Sequence, residues 1–114
     1  LYLKDGKPAY TYNWLGLNRY MVNAPEALPA GKATLVSDFA YDGGGAGKGG
    51  TGKLSINGSK VAEGRIDQTQ PRIFSIDETA DVGVDEATPV VDSLGEGEQT
   101  RFTGKIEKVT VEVK

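Results

Sequence analysis

The sequence predicts an all-β fold, an antiparallel β-sandwich or jelly roll, and three observations carry that expectation. Apolar stretches are short, strong turn signals separate them, and almost no segment suits a helix. Sixteen glycines in 114 residues are about twice the roughly 7% of average usage, yet they recur at no fixed spacing. They punctuate strands rather than build a fibre. No internal repeat or linker divides the chain, so residues 1–114 are expected to form a single domain.

The elements follow in chain order. Leu1 to Lys4 and Ala9 to Tyr12 flank Asp5-Gly6, a dipeptide suited to the two positive φ angles of a type I′ hairpin turn. Leu17 to Val22 is a second β-like stretch, closed by Ala24-Pro25 and by Leu28-Pro29-Ala30-Gly31. In Thr34 to Tyr41, Leu35, Phe39 and Tyr41 fall on one face. Lys53 to Ile56 and Lys60 to Ile66 flank Asn57-Gly58, the second clear hairpin signal. Within it Leu54 and Ile56 are expected to face the core with Ala62, Gly64 and Ile66. Arg72 to Ile76 reads as a further short strand. Arg101 to Lys114 alternates through Phe102, Gly104 and Ile106, then Val109, Val111 and Val113, with a parity change that suggests a bulge. Pro25 to Ala33 and Asp85 to Gly97 lack strand character and hold too much Pro or Gly for a helix. The expected core is Phe39, Leu54, Ile56, Ile66, Phe102, Ile106, Val109 and Val111.

Composition excludes more than it assigns. Thirteen Lys and Arg against sixteen Asp and Glu leave a net charge of −3, too weakly acidic to suggest a nucleic-acid partner. The absence of Cys removes disulfides, thiolate zinc sites and cysteine nucleophiles. The absence of His removes the Ser-His-Asp triad and the commonest general base. No apolar run approaches the ~18 residues of a membrane helix, so no membrane partner is expected. The chain opens at Leu1 without a secretory signal and reads as a segment of a longer polypeptide.

Four constellations invite a chemical reading. Asp42 to Gly52 holds seven glycines, and Gly47, Gly52 and Lys53 match a phosphate-cradling loop. Position 54 is Leu where a hydroxyl is needed, and a strand follows where the phosphate site needs a helix N-terminus. A wide strand connection fits better. Asp77, Asp81 and Asp85, with Glu78 and Glu86, offer hard oxygen donors dense enough for calcium, though without the spacing of a helix–loop–helix site. Solvated acidic loops look the same. Tyr10, Tyr12, Trp14 and Tyr20 concentrate aromatic surface that suits either a docking face or a sugar platform, with half-buried packing as the ordinary alternative. The serines have no His to activate them, and Ser59 with Lys60 is a poor pair because adjacent strand residues point to opposite faces. Any two of the sixteen acids could form a glycosidase pair, and the sequence selects none.

The order of segments resembles the C-terminal domain of the long bacterial arylsulfatases. The likeness runs through Leu1-Tyr2-Leu3-Lys4-Asp5-Gly6-Lys7-Pro8, Tyr10-Thr11-Tyr12-Asn13-Trp14-Leu15-Gly16 and Phe39-Ala40-Tyr41-Asp42-Gly43-Gly44-Gly45. It continues through Val61-Ala62-Glu63-Gly64-Arg65-Ile66, Thr69-Gln70-Pro71, Asp77-Glu78-Thr79, Asp81-Val82-Gly83, Thr88-Pro89-Val90 and Phe102-Thr103-Gly104-Lys105-Ile106. Almost the whole chain is covered. The resemblance implies a concanavalin-like or LamG-like jelly roll behind a sulfatase catalytic domain, in a periplasmic or extracellular parent. Enzymes of that family hydrolyse sulfate esters with a formylglycine made from Cys or Ser, beside a bound calcium. The Cys or Ser followed by Pro and Arg that carries that residue has no counterpart here, so no catalytic residue transfers and no cofactor is expected in this segment beyond the calcium considered above. Two roles remain: an accessory module packed on the catalytic domain or a neighbouring subunit, shaping the substrate entrance, or a carbohydrate-binding module for sulfated glycans. The −3 charge favours the first, because a polyanion prefers a basic face.

Overall fold

The structure, a computed structural model, describes residues 1–72 and 80–113. The chain divides into two compact units, Leu1–Phe74 and Ser75–Lys114.

The first unit holds two three-stranded antiparallel sheets. One is β1 (Tyr2–Lys4), β2 (Lys7–Trp14) and β3 (Asn18–Asn23), in that order. The other is β4 (Leu35–Tyr41), β5 (Gly50–Ile56) and β6 (Ser59–Ile66), also in order. Both expected turns form. Asp5 and Gly6 have φ of 52° and 74°, and Asn57 and Gly58 have 50° and 85°, as a type I′ turn requires. Asn57 also ties its turn to the start of β4, its Oδ1 accepting the Thr34 N–H at 2.9 Å. A third tight turn joins β2 to β3, with Leu15 at φ 54° and Gly16 at φ 70°.

The sheets meet through glycines. Gly52 and Gly64 are opposite each other on β5 and β6. A Cβ on Gly64 would sit 2.8 Å from Val22 Cγ2, and one on Gly52 3.4 Å from the same atom. Val22, on β3, is therefore seated where two side chains are missing, and it is almost fully buried. Leu54, Ile66 and Pro8 are completely buried, and Ala9 and Ala24 nearly so. The register shifts between Leu54 and Ser55: Leu54 faces Ala62 but Ser55 faces Lys60. Val61 is thus the extra residue of a bulge in β6. Thr11 is the buried polar residue of this unit among those described, and its hydroxyl meets that of Tyr2 at 3.0 Å.

Several core expectations are corrected. Leu54 and Ile66 are buried as expected and Ile56 is half-buried, but Phe39 is 39% exposed. It does lie on the face of Gly52, its cross-strand partner. However, β4 is an edge strand, and the opposing sheet packs chiefly on β5 and β6. Its ring folds instead over Gly50, where a Cβ would lie only 2.5 Å away.

The second unit is built from turns. Two short 3₁₀ turns, Asp92–Leu94 and Glu98–Thr100, surround a bridge between Asp85 and Gly97. The Asp85 N–H donates to Thr100 Oγ1 at 2.7 Å, and that hydroxyl donates to the Gly97 carbonyl at 2.7 Å. Val91 is the buried apolar residue of this unit among those described. The expected terminal strand is absent: residues 101–113 form neither strand nor helix. Phe102, Ile106, Val109 and Val111, assigned to the core from alternation, are 37%, 43%, 56% and 83% exposed. Alternation supplies a strand's faces but not a partner, and an unpaired strand has no ladder to hold it. The expected strand Arg72 to Ile76 lies largely outside the described residues.

Candidate functional site

The β2–β3 hairpin places all four aromatic residues singled out above on one face. Antiparallel pairing sets Tyr10 opposite Val22, Tyr12 opposite Tyr20 and Trp14 opposite Asn18. Directly paired residues share a face, so the aromatics lie on the side from which Val22 enters the second sheet. Each of the four is half-buried. Burial, reinforced by the neighbouring Tyr12, raises the Tyr10 hydroxyl above its ordinary pKa. The Tyr12 hydroxyl accepts the Gln70 N–H at 2.8 Å. Trp14 Nε1 is buried with no hydrogen-bond acceptor, an exception to the near-complete pairing of buried donors.

Beyond Trp14 the hairpin turns through an apolar tip, a feature that composition and motif spacing do not reveal. Leu15 and Leu17 are 60% and 70% exposed. The turn is well made: the Gly16 N–H donates to Asn13 Oδ1 at 2.9 Å and the Leu17 N–H to the Trp14 carbonyl at 2.9 Å. Even so, Leu15 holds a left-handed backbone that Asn, Asp or Gly adopts far more readily. Met21, on the opposite face of β3, is also exposed.

The glycine-rich segment joins strand to strand, β4 to β5, with no helix after it, and so lacks the dipole and free amides of a phosphate loop. It is closely tied. The Tyr41 hydroxyl donates to the Gly45 carbonyl and accepts the Lys48 N–H at 3.0 Å. The Thr69 hydroxyl donates to the Lys48 carbonyl at 2.7 Å, and Pro71 packs against Gly47. Arg65 forms a two-pronged hydrogen bond with Asp42 across the mouth of the loop. Those bonds hold the Asp42 carboxyl below its ordinary range and push the Arg65 guanidinium up.

Of the calcium candidates, Asp77 lies outside the described residues. Asp81 Oδ2 accepts the Glu86 N–H at 3.0 Å, and Asp85 Oδ2 accepts the Val90 N–H at 2.9 Å. Each thus spends a carboxylate oxygen on its own loop, and no metal-holding group of three gathers among the described residues. Lys60 Nζ donates to Glu63 Oε2 at 3.1 Å, so its side chain is engaged with Glu63, and Ser59 and Lys60, as adjacent strand residues, point to opposite faces. An open groove of about 400 Å³ is lined by Pro25, Glu26, Ala27, Pro29, Ile56 and Val61. Glu26 is its one ionisable residue, too few for paired acid–base chemistry.

No protein-family model, no curated protein and no solved structure matches this chain. No helix among the described residues is long and apolar enough to cross a membrane.

Proposed function

We propose that this chain is the non-catalytic C-terminal module of a bacterial arylsulfatase, a concanavalin-like β-sandwich that packs on the sulfatase catalytic domain or a neighbouring subunit and shapes the substrate entrance. The resemblance of its segments to that family supplies the partner. The structural observation that carries the reading is the β2–β3 tip, where two leucines are held out to solvent on a strained turn. Backbone strain persists where function demands it, and exposed apolar side chains at a tip suit insertion into a partner.

Docking is favoured over carbohydrate binding by the placement of the aromatics. Tyr10, Tyr12, Trp14 and Tyr20 are half-buried on the face that meets the second sheet, and the Tyr12 hydroxyl is already engaged. A sugar platform needs open ring faces and unspent polar groups. Titrating the chain with the catalytic domain of its parent, with Trp14 fluorescence as the readout, tests the reading. A blue shift that Leu17→Asp abolishes is expected. A response to sulfated oligosaccharide alone, or none to the catalytic domain, overturns it.

A further inference from the structure

The segment 105–113 carries the clearest unused pattern in the molecule. Val109, Val111 and Val113 are 56%, 83% and 94% exposed, and no strand forms among residues 101–113. Val109 to Val113 alternate with Lys108, Thr110 and Glu112, so an extended conformation sorts three valines to one face and the polar residues to the other. Such a segment is a strand waiting for an edge, and strand addition uses main-chain bonds for affinity and side chains for register.

We propose that residues 107–113 pair antiparallel with the same segment of a second copy, about a two-fold axis through Thr110. In that register Lys108 of each copy stands opposite Glu112 of the other. Val109 stands opposite Val111, also twice, Thr110 faces Thr110, and Glu107 against Val113 at each end is the one mismatched kind of pair. Opposite charges and β-branched residues in directly facing positions are the favourable cross-strand pairs. The alternatives are worse. A two-fold axis at Val109 sets Glu107 against Val111 and Ile106 against Glu112. An axis at Val111 sets Thr110 against Glu112 and loses both ion pairs. Parallel in-register pairing stacks Lys108 on Lys108 and Glu112 on Glu112, which like-charge repulsion disfavours. Charge complementarity therefore selects one partner, one direction and one register. A ribbon of two strands is marginal in water, so the association is weak and depends on concentration.

The test uses the whole chain. Sedimentation velocity over a wide concentration range is expected to show reversible monomer–dimer exchange. Lys108→Glu sets one carboxylate against another in each pair and should weaken association about tenfold, as Glu112→Lys should by opposing two ammonium groups. The double variant Lys108→Glu with Glu112→Lys restores it, which no non-specific apolar contact would do. The chain has no cysteine, so Thr110→Cys gives a clean second readout. Facing Cα atoms of an antiparallel pair lie about 4.5–5.5 Å apart, within disulfide reach. Thr110→Cys should oxidise to a covalent dimer far faster than a control Ser93→Cys. A monomer at every concentration overturns the proposal. Charge reversals without effect, or equal oxidation of the two cysteine variants, also overturn it.

Discussion

Leu15 concentrates the tension between stability and use in a single residue. Its φ of 54° costs an L residue about 1–2 kcal/mol relative to a right-handed conformation, while Asn tolerates it well. Leu15→Asn is therefore expected to raise stability by about 1 kcal/mol in urea titration, and to weaken docking because the apolar tip is lost. A destabilised variant would show that the leucine is held by packing within the module instead. Two titrating residues give the pH dependence. Tyr10 has a raised folded pKa from burial, so its contribution is complete below the ordinary tyrosine pKa of about 10 and is lost as pH rises through the folded value. Absorbance titration should show one tyrosine ionising late, and Tyr10→Phe should remove that phase. Asp42 has a depressed pKa from its bonds to Arg65. Its contribution is present above the ordinary Asp value of about 3.9 and is lost as pH falls through the folded one. Both partners are solvent-exposed, so salt should screen the effect.

At the scale of the element, the contact between the sheets rests on a valine fitted to two glycines. Gly64→Ala places a methyl 2.8 Å from Val22 Cγ2, so the almost fully buried Val22 or its surroundings must shift. Overpacking of this kind costs roughly 1–3 kcal/mol. Val22→Ala alone opens a void at the same point. The double variant returns a methyl to the space it vacates, so its loss should be smaller than the sum of the two, with coupling of about 0.5 kcal/mol or more. Additive losses in thermal unfolding would show that Val22 and Gly64 do not share a site. Leu54→Ala, at a completely buried position, should cost about 2–5 kcal/mol. Ile106→Ala should cost far less, because Ile106 is 43% exposed and its alternating neighbours bury no common core.

For the molecule as a whole, the proposed role requires inertness. With no His and no Cys, and without the formylglycine motif, the isolated chain is expected to release no sulfate from an aryl sulfate. Release above a buffer blank that survives repurification would sink that expectation. The two-unit division bears on the unfolding experiments. The first unit carries both sheets and the larger core, while the second has turns and a single buried apolar residue among those described. Hydrogen exchange should accordingly be slowest at Leu54 and Ile66 and fast throughout 105–113 in the monomer.

The local features were legible in the sequence because they depend on near neighbours alone. Asp5-Gly6 and Asn57-Gly58 specify their turns through the φ angles they tolerate, and period-two patterning sorts Leu54 and Ile66 to the inner face. The Leu15-Gly16 turn escaped because Leu is a poor left-handed residue, and only the strand pairing on either side forces it there. The tertiary structure alone decided which of the alternating residues are covered. Phe39 and Val22 each lie on the face their sheet turns toward the other, yet one is exposed on an edge strand and the other seated over two glycines. Val109 and Val111 alternate as well as any residues in the chain and remain in water. Alternation is a property of a strand by itself, whereas burial is a property of what lies opposite, and that is settled only when distant segments come together.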